Sequence, residues 1–98
     1  MILNNIKILD LTQLLPGPFC SKLLASFGAE VVKVERPGVG DLARAFSPKK
    51  GSNAVSFLYL NENKKSMTLD LKSNEGRKIF LNLAKSYDVE SVEKVLKA

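Results

Sequence analysis

Histidine is absent from this chain, and there is one cysteine, Cys20. Without histidine the sequence lacks the side chain that most often serves as a general base near neutral pH, and it lacks a common metal ligand. A single cysteine cannot close an internal disulfide. With no histidine beside it, too few ligands remain for a structural zinc site, and no metal is expected. Such sparing cysteine use fits a reducing, cytoplasmic compartment. No apolar run is long enough for a signal peptide or a membrane span, because Lys7 and Asp10 interrupt the N-terminal stretch early. No repeat or low-complexity segment appears.

The 98 residues make one small domain at most, and a hydrophobic share of 45% is that of a globular chain rather than a disordered one. A domain this short leaves much apolar surface exposed, so its margin of stability is thin. The net charge of +5 favours acidic ligands such as phosphates. For most of the basic residues the simpler reading is a solubilising surface, since they occur singly or in pairs such as Lys49-Lys50 and Lys64-Lys65. A specific nucleic-acid partner is not expected, because neither interleaved aromatics nor a clustered basic stripe is present.

Ile6 to Leu11 is a short, mostly apolar run suited to a buried strand. Pro16-Gly17-Pro18 forces a turn, and Pro18 suits the first turn of a helix, where a missing N–H costs nothing. Cys20, Leu23, Leu24 and Phe27 then recur at helical spacing as one apolar stripe, and Gly28 is placed to end the helix in a left-handed conformation. Val31 to Val34 is the second strand. Strand, helix and strand make a βαβ unit with a parallel sheet that needs helices on its faces. The expected fold is therefore α/β, a Rossmann-like βαβ fragment with a mostly parallel sheet and flanking helices.

Arg36 to Asn53 reads as loop, punctuated by Pro37, Gly38, Gly40, Pro48 and Gly51. Ala54 to Leu60 is compatible with a short helix or a strand. Ser66 to Leu71 is a third strand, with Met67, Leu69 and Leu71 on one face. Ser73 is placed to cap a helix that has Glu75 in its first turn and Ile79, Phe80, Leu83, Ala84 and Tyr87 along its inner side. Glu90 to Ala98 reads as a short amphipathic helix.

The turn after the first strand holds only Gly17, not three glycines in Gly-x-Gly-x-x-Gly spacing, so a standard dinucleotide site is rejected. Gly38-Val39-Gly40 precedes no clear helix and reads as a flexible turn. Arg36 ends the second strand, at the edge of the sheet where open α/β folds gather ligands, and an arginine there can fork onto a phosphate. The alternative, slightly favoured by position alone, is a surface arginine paired with Glu35 or Asp41. Lys72 closes the third strand and should lie at the same edge. Cys20 falls on the apolar stripe and reads as buried and structural. Asp10 and Asp70 fall near strand ends with no partner base, and neither signals catalysis.

Leu9-Asp10-Leu11-Thr12, Pro16-Gly17-Pro18-Phe19-Cys20, the run from Phe27 to Gly38, Asn63-Lys64-Lys65-Ser66 and Thr68-Leu69-Asp70-Leu71-Lys72 together resemble, in order, the N-terminal region of the class III coenzyme A transferases of the CaiB/BaiF type. The α-methylacyl-CoA racemase branch is the most similar. The resemblance implies an acyl-CoA partner and no metal. It implies that Arg36 contacts the coenzyme A nucleotide, that Leu69, Asp70, Leu71 and Lys72 cradle the same cofactor, and that Leu15 and Pro16 form a turn near it. Leu15 stands where transferase members often carry glutamine, and this favours the racemase, whose chemistry is α-proton exchange on 2-methylacyl-CoA thioesters. A formyl-CoA-type or carnitine-type transferase fragment is the alternative.

The resemblance makes residues 1–89 the N-terminal part of a CoA-binding domain and 90–98 a tail that departs from the family. It places every catalytic residue outside this chain. The expectation is a truncated polypeptide, inactive alone, or an assembly module that self-associates or pairs with a separate remainder.

Overall fold

The computed structural model describes residues 1–90. Four strands form one parallel sheet: β1 (Lys7–Asp10), β2 (Glu30–Glu35), β5 (Lys65–Thr68) and β6 (Val89–Glu90), in the order β5-β2-β1-β6. Ile8 pairs with Val31 and Val89, and Val34 pairs with Met67. Between β2 and β5 the chain inserts a short 3-10 turn (Leu42–Ala45), an antiparallel hairpin of β3 (Lys49–Lys50) and β4 (Asn53–Ala54), and helix α2 (Val55–Leu60). Helix α1 (Pro16–Ser26) joins β1 to β2, and α3 (Asn74–Ala84) joins β5 to β6. Among the described residues no helix is long and apolar enough to cross a membrane.

Strand periodicity assigns the two faces of the sheet. Leu9, Val32 and Val34 point to one side, where Phe80 of α3 and the partly buried Met67, Leu69, Leu71, Leu83 and Tyr87 complete a core. Ile8 and Val31 point to the other side, against Leu24 and Ala25 of α1. Asp10, Lys33 and Glu35 continue that second face, so charged side chains are buried there.

The helix ends follow local chemistry. Pro16 occupies the first position of α1, where no N–H partner is required. Gly28 adopts φ +108 and donates to Ala25 O, while Ala29 donates to Leu24 O. These two bonds close the helix as a Schellman motif. Ser73 caps α3 by accepting from the Gly76 N–H, with Glu75 in the first turn as expected.

Several expectations are corrected. Cys20 is exposed, as are Leu23 and Phe27, and α1 instead buries Pro18 and Ser21 beside Leu24 and Ala25. The inner face is rotated because buried Asp10 accepts the Ser21 hydroxyl, which makes a polar residue the inward one. Ile79 is likewise exposed, and α3 turns Gly76 and Phe80 inward. Ala54 closes the hairpin and Val55–Leu60 is helix, which settles that ambiguity.

The third strand ends at Thr68 rather than Leu71. Beyond it the Asp70 carboxylate accepts the Lys72 N–H and bends the chain toward α3, so Lys72 sits in a turn. Glu90 extends β6, opposite Leu9, instead of opening a helix. The rest of that expected tail, 91–98, lies outside the described residues.

Candidate functional site

Parallel strands present their C-terminal ends at one edge of the sheet, and a cleft of about 430 Å³ opens there. Three segments line it: Leu11 to Gln13 after β1, Val34 to Pro37 at the end of β2, and Asp70 to Lys72 after β5. Arg36 and Lys72, placed at this edge by strand position alone, line the same cleft. Asp70 and Leu71 join them. Leu15 and Pro16 open α1 and lie outside the lining, and Leu69 packs into the core beneath it.

The Arg36 side chain is exposed and its Nε donates to Gly40 O at 3.3 Å. Neither Glu35 nor Asp41, its two acidic neighbours in sequence, is its partner. Glu35 accepts from Arg44 through both oxygens, at 2.7 Å each. Asp41 Oδ2 lies 2.8 Å from Lys33 Nζ, as an ion pair rather than an aligned hydrogen bond. Among the described residues Arg36 forms no salt bridge. Lys72 is held through its backbone by Asp70, and Arg77 fixes the same turn by donating to Leu71 O at 2.9 Å.

Behind the cleft wall lies a network of buried charge. Asp41 Oδ1 accepts the N–H groups of Leu14 and Ala43, so it holds the β1–α1 turn and caps the 3-10 turn together. Leu14 has φ 72, an unfavourable conformation for a leucine that this bond helps to fix. Lys33 Nζ donates to Thr12 O at 2.9 Å, and Gln13 Oε1 accepts the Leu42 N–H. Arg44 also donates to Asn53 Oδ1 and lies 4.0 Å from the Phe57 ring centre.

Farther into the same face, Lys64 Nζ reaches Asp10 Oδ2 at 3.1 Å, Pro18 O at 3.1 Å and Asn61 Oδ1 at 2.7 Å. Asp10 also accepts from Ser21 and from Thr12.

These contacts set the protonation states. Arg44, with the Asp41 N–H and the Ser66 hydroxyl behind it, outweighs burial and holds the Glu35 carboxyl at about 2. Burial pushes Asp10 up, but hydrogen bonds from Ser21 and Thr12 and the charge of Lys64 together bring it below the usual carboxylate range. Burial lowers Lys64 more than Asp10 raises it. Glu35 and Asp10 are therefore ionised and already matched, and Arg36 and Lys72 stand in the cleft lining beside Asp70.

Sequence reasoning missed this network. Its signal was present: Lys33 and Glu35 share the face of Val31 in a strand whose other buried residues are valines, where a charge must find a partner. Among the described residues no group of three His, Cys, Asp or Glu side chains could hold a metal.

Comparison with known proteins agrees with this architecture. The family model for CoA-transferase family III matches residues 3–93. A formyl-CoA:oxalate CoA-transferase of Afipia carboxidovorans is 47% identical over 88 residues, which cover 89% of this chain and 21% of that protein. The human succinyl-CoA:glutarate CoA-transferase is 47% identical over 88 residues, covering 89% of this chain and 20% of that protein. Among solved structures, a CaiB/BaiF family protein from Brucella suis superposes with a TM-score of 0.82 at 33% identity, over 90% of this chain and 24% of that one. The chain spans about a fifth of the length of the curated relatives it matches.

Proposed function

This chain belongs to CoA-transferase family III, and from that premise we propose that its cleft receives the phosphate-bearing part of a coenzyme A thioester. One observation carries the reading. Two cations from different segments, Arg36 directly after β2 and Lys72 in the turn beyond β5, line one cleft, while Glu35 and Asp41 are paired elsewhere. Arg36 offers a planar fork suited to a phosphate, Lys72 a point charge, and the Asp70–Lys72 turn a rim for the same ligand. Leu69 supports that rim from the core, and the Leu15–Pro16 turn lies outside the lining.

The reaction is read as transfer of coenzyme A from a thioester to a free carboxylic acid, the chemistry that the relatives' names describe. In this reading residues 1–89 supply cofactor binding within the larger domain, and the group that attacks the thioester comes from sequence outside these 98 residues. The exposed apolar side chains of α1 and α2, among them Phe19, Leu23, Leu58 and Tyr59, support association with that remainder or with a second copy. The single cysteine supports a cytoplasmic setting. Racemisation of a 2-methylacyl-CoA is the second reading, favoured by Leu15 and the Pro-Gly-Pro-Phe-Cys turn.

Calorimetric titration of the chain with coenzyme A tests the binding step. Arg36→Ala and Lys72→Ala are each expected to weaken it about tenfold, the worth of one charge-assisted hydrogen bond. Equal affinity for adenosine and coenzyme A, or no change in either variant, would refute the site. In a full-length relative carrying this segment, deuterium exchange at the α-carbon without a carboxylate acceptor selects the racemase reading, and acceptor-dependent turnover selects the transferase.

A further inference from the structure

Three cations and two acids compete within a few residues of the β2 end. Glu35 lies on the cleft wall one residue before Arg36. Both reach the same glycine: Arg36 Nε donates to Gly40 O, and a Cβ added at Gly40 would meet Glu35 Oε1 at 2.7 Å. Both side chains thus approach the same residue, and a carboxylate released there would be the acid nearest in sequence to an exposed arginine. In the fold that carboxylate is taken by Arg44, which meets Glu35 Oε1 with Nε and Oε2 with its terminal nitrogen, beside the weaker donors Asp41 N–H and Ser66 hydroxyl. Arg44 is itself fixed by Asn53 and the Phe57 ring, so its fork is held in place before any ligand arrives.

We propose that Arg44 is a positioning residue for the anion site: by occupying both oxygens of Glu35, it keeps Arg36 free of an acidic partner and available to a phosphate. The proposal rests on the reading of the cleft as a phosphate site and assigns a role to a residue outside the cleft lining. Arg44 does not meet the ligand. Its effect is exerted through Glu35, which becomes a competitor for Arg36 once Arg44 is gone. The neighbouring acid, Asp41, is also matched, its Oδ2 by the Lys33 ammonium and its Oδ1 by the Leu14 and Ala43 N–H groups.

The test is a cycle of Arg44→Ala, Glu35→Gln and the double variant in the 98-residue chain. Coenzyme A affinity is read by calorimetry and folding by circular dichroism. Arg44→Ala is expected to weaken binding about tenfold, because Arg36 is then taken up by Glu35. Glu35→Gln alone sets the baseline of the cycle: the loss caused by Arg44→Ala in the parent should be mostly absent when Arg44→Ala is made in the Glu35→Gln background. The double variant should regain most of the lost affinity, although its thermal midpoint stays below that of the parent.

Should Arg44→Ala fail to fold, the double variant still lacks the unpaired buried carboxylate, and Arg44→Lys compared with Arg44→Lys plus Glu35→Gln gives the same readout. A folded double variant that binds no better than Arg44→Ala would overturn the proposal and leave Arg44 a structural residue only. Absence of coenzyme A binding by the parent chain would instead refute the reading of the cleft, so the two failures are distinguishable.

Discussion

Lys64→Met should be among the most damaging single changes in this chain, although Lys64 reads in sequence as one of a pair of surface lysines. Its side chain is 1% exposed and that of Asp10 is fully buried. The ammonium group meets three acceptors, on Asp10, Pro18 and Asn61. Methionine fills the volume and removes all three donors, so an ionised carboxylate stays buried without its counter-charge. Breaking a buried pair in this way costs about 3–5 kcal/mol.

Asp10 keeps its bonds from Ser21 and Thr12, which places the expected loss near the lower bound, about 3 kcal/mol. For a domain of this size that lowers the thermal midpoint by about 12–24 °C. The intact pair is worth far less than this, because the burial that disfavours Lys64 opposes what Asp10 gains. Asp10→Asn with Lys64→Met should therefore recover more than half of the loss. Urea unfolding followed by circular dichroism across the four-member cycle measures the coupling. A loss under about 1 kcal/mol for Lys64→Met, or strict additivity of the two changes, would refute a buried, mutually dependent pair.

Acid should act through Glu35. Its carboxyl titrates at about 2 in the fold against 4.5 unperturbed, so the unfolded chain takes up the proton first. The stability it contributes is complete above pH 4.5, falls as pH drops toward 2, and amounts to about 2–3 kcal/mol after screening at the partly exposed Arg44 end. Glu35→Gln should flatten the stability–pH curve over that interval, and an unchanged slope would show that the carboxyl is not depressed. At the turn that carries Lys72, a Cβ at Gly76 would lie 1.8 Å from Asp70 O. Gly76→Ala should cost about 3 kcal/mol by displacing that turn and should weaken coenzyme A binding with it. A chain with its parental urea midpoint would mean that the turn does not pack on α3.

Local chemistry made much of the fold legible. Pro16, Gly28 and Ser73 are a first-turn residue, a left-handed cap and a hydroxyl cap whose roles depend on a few neighbouring atoms. The valines of β2 needed cover on two faces whatever the rest of the chain did. Which residues supply that cover was not legible in the same way. An apolar stripe at helical spacing fixes a period but not a phase, and α1 took its phase from the bond between Ser21 and buried Asp10 rather than from Cys20, Leu23 and Phe27. The third strand stopped early because Asp70 bonded to the turn that follows it, a choice between two local partners that residue type alone leaves open.

The same division holds at the candidate site. Sequence by itself determined the order of β1, α1, β2, the third strand and α3, and strand direction then put Arg36 and Lys72 at one edge, since parallel strands all end on the same side. Only the tertiary structure decided which charges neutralise each other. Asp10, Lys33, Glu35, Asp41, Arg44 and Lys64 are scattered between positions 10 and 64 with mixed sign, and several pairings satisfy that list. The pairing adopted, Lys33 with Asp41, Arg44 with Glu35 and Lys64 with Asp10, follows from which side chains share a face of the sheet once the insertion folds back over β2. Burial makes that choice consequential, because a charge left unmatched there has no water to turn to. At the open edge Arg36 has been left without an acid.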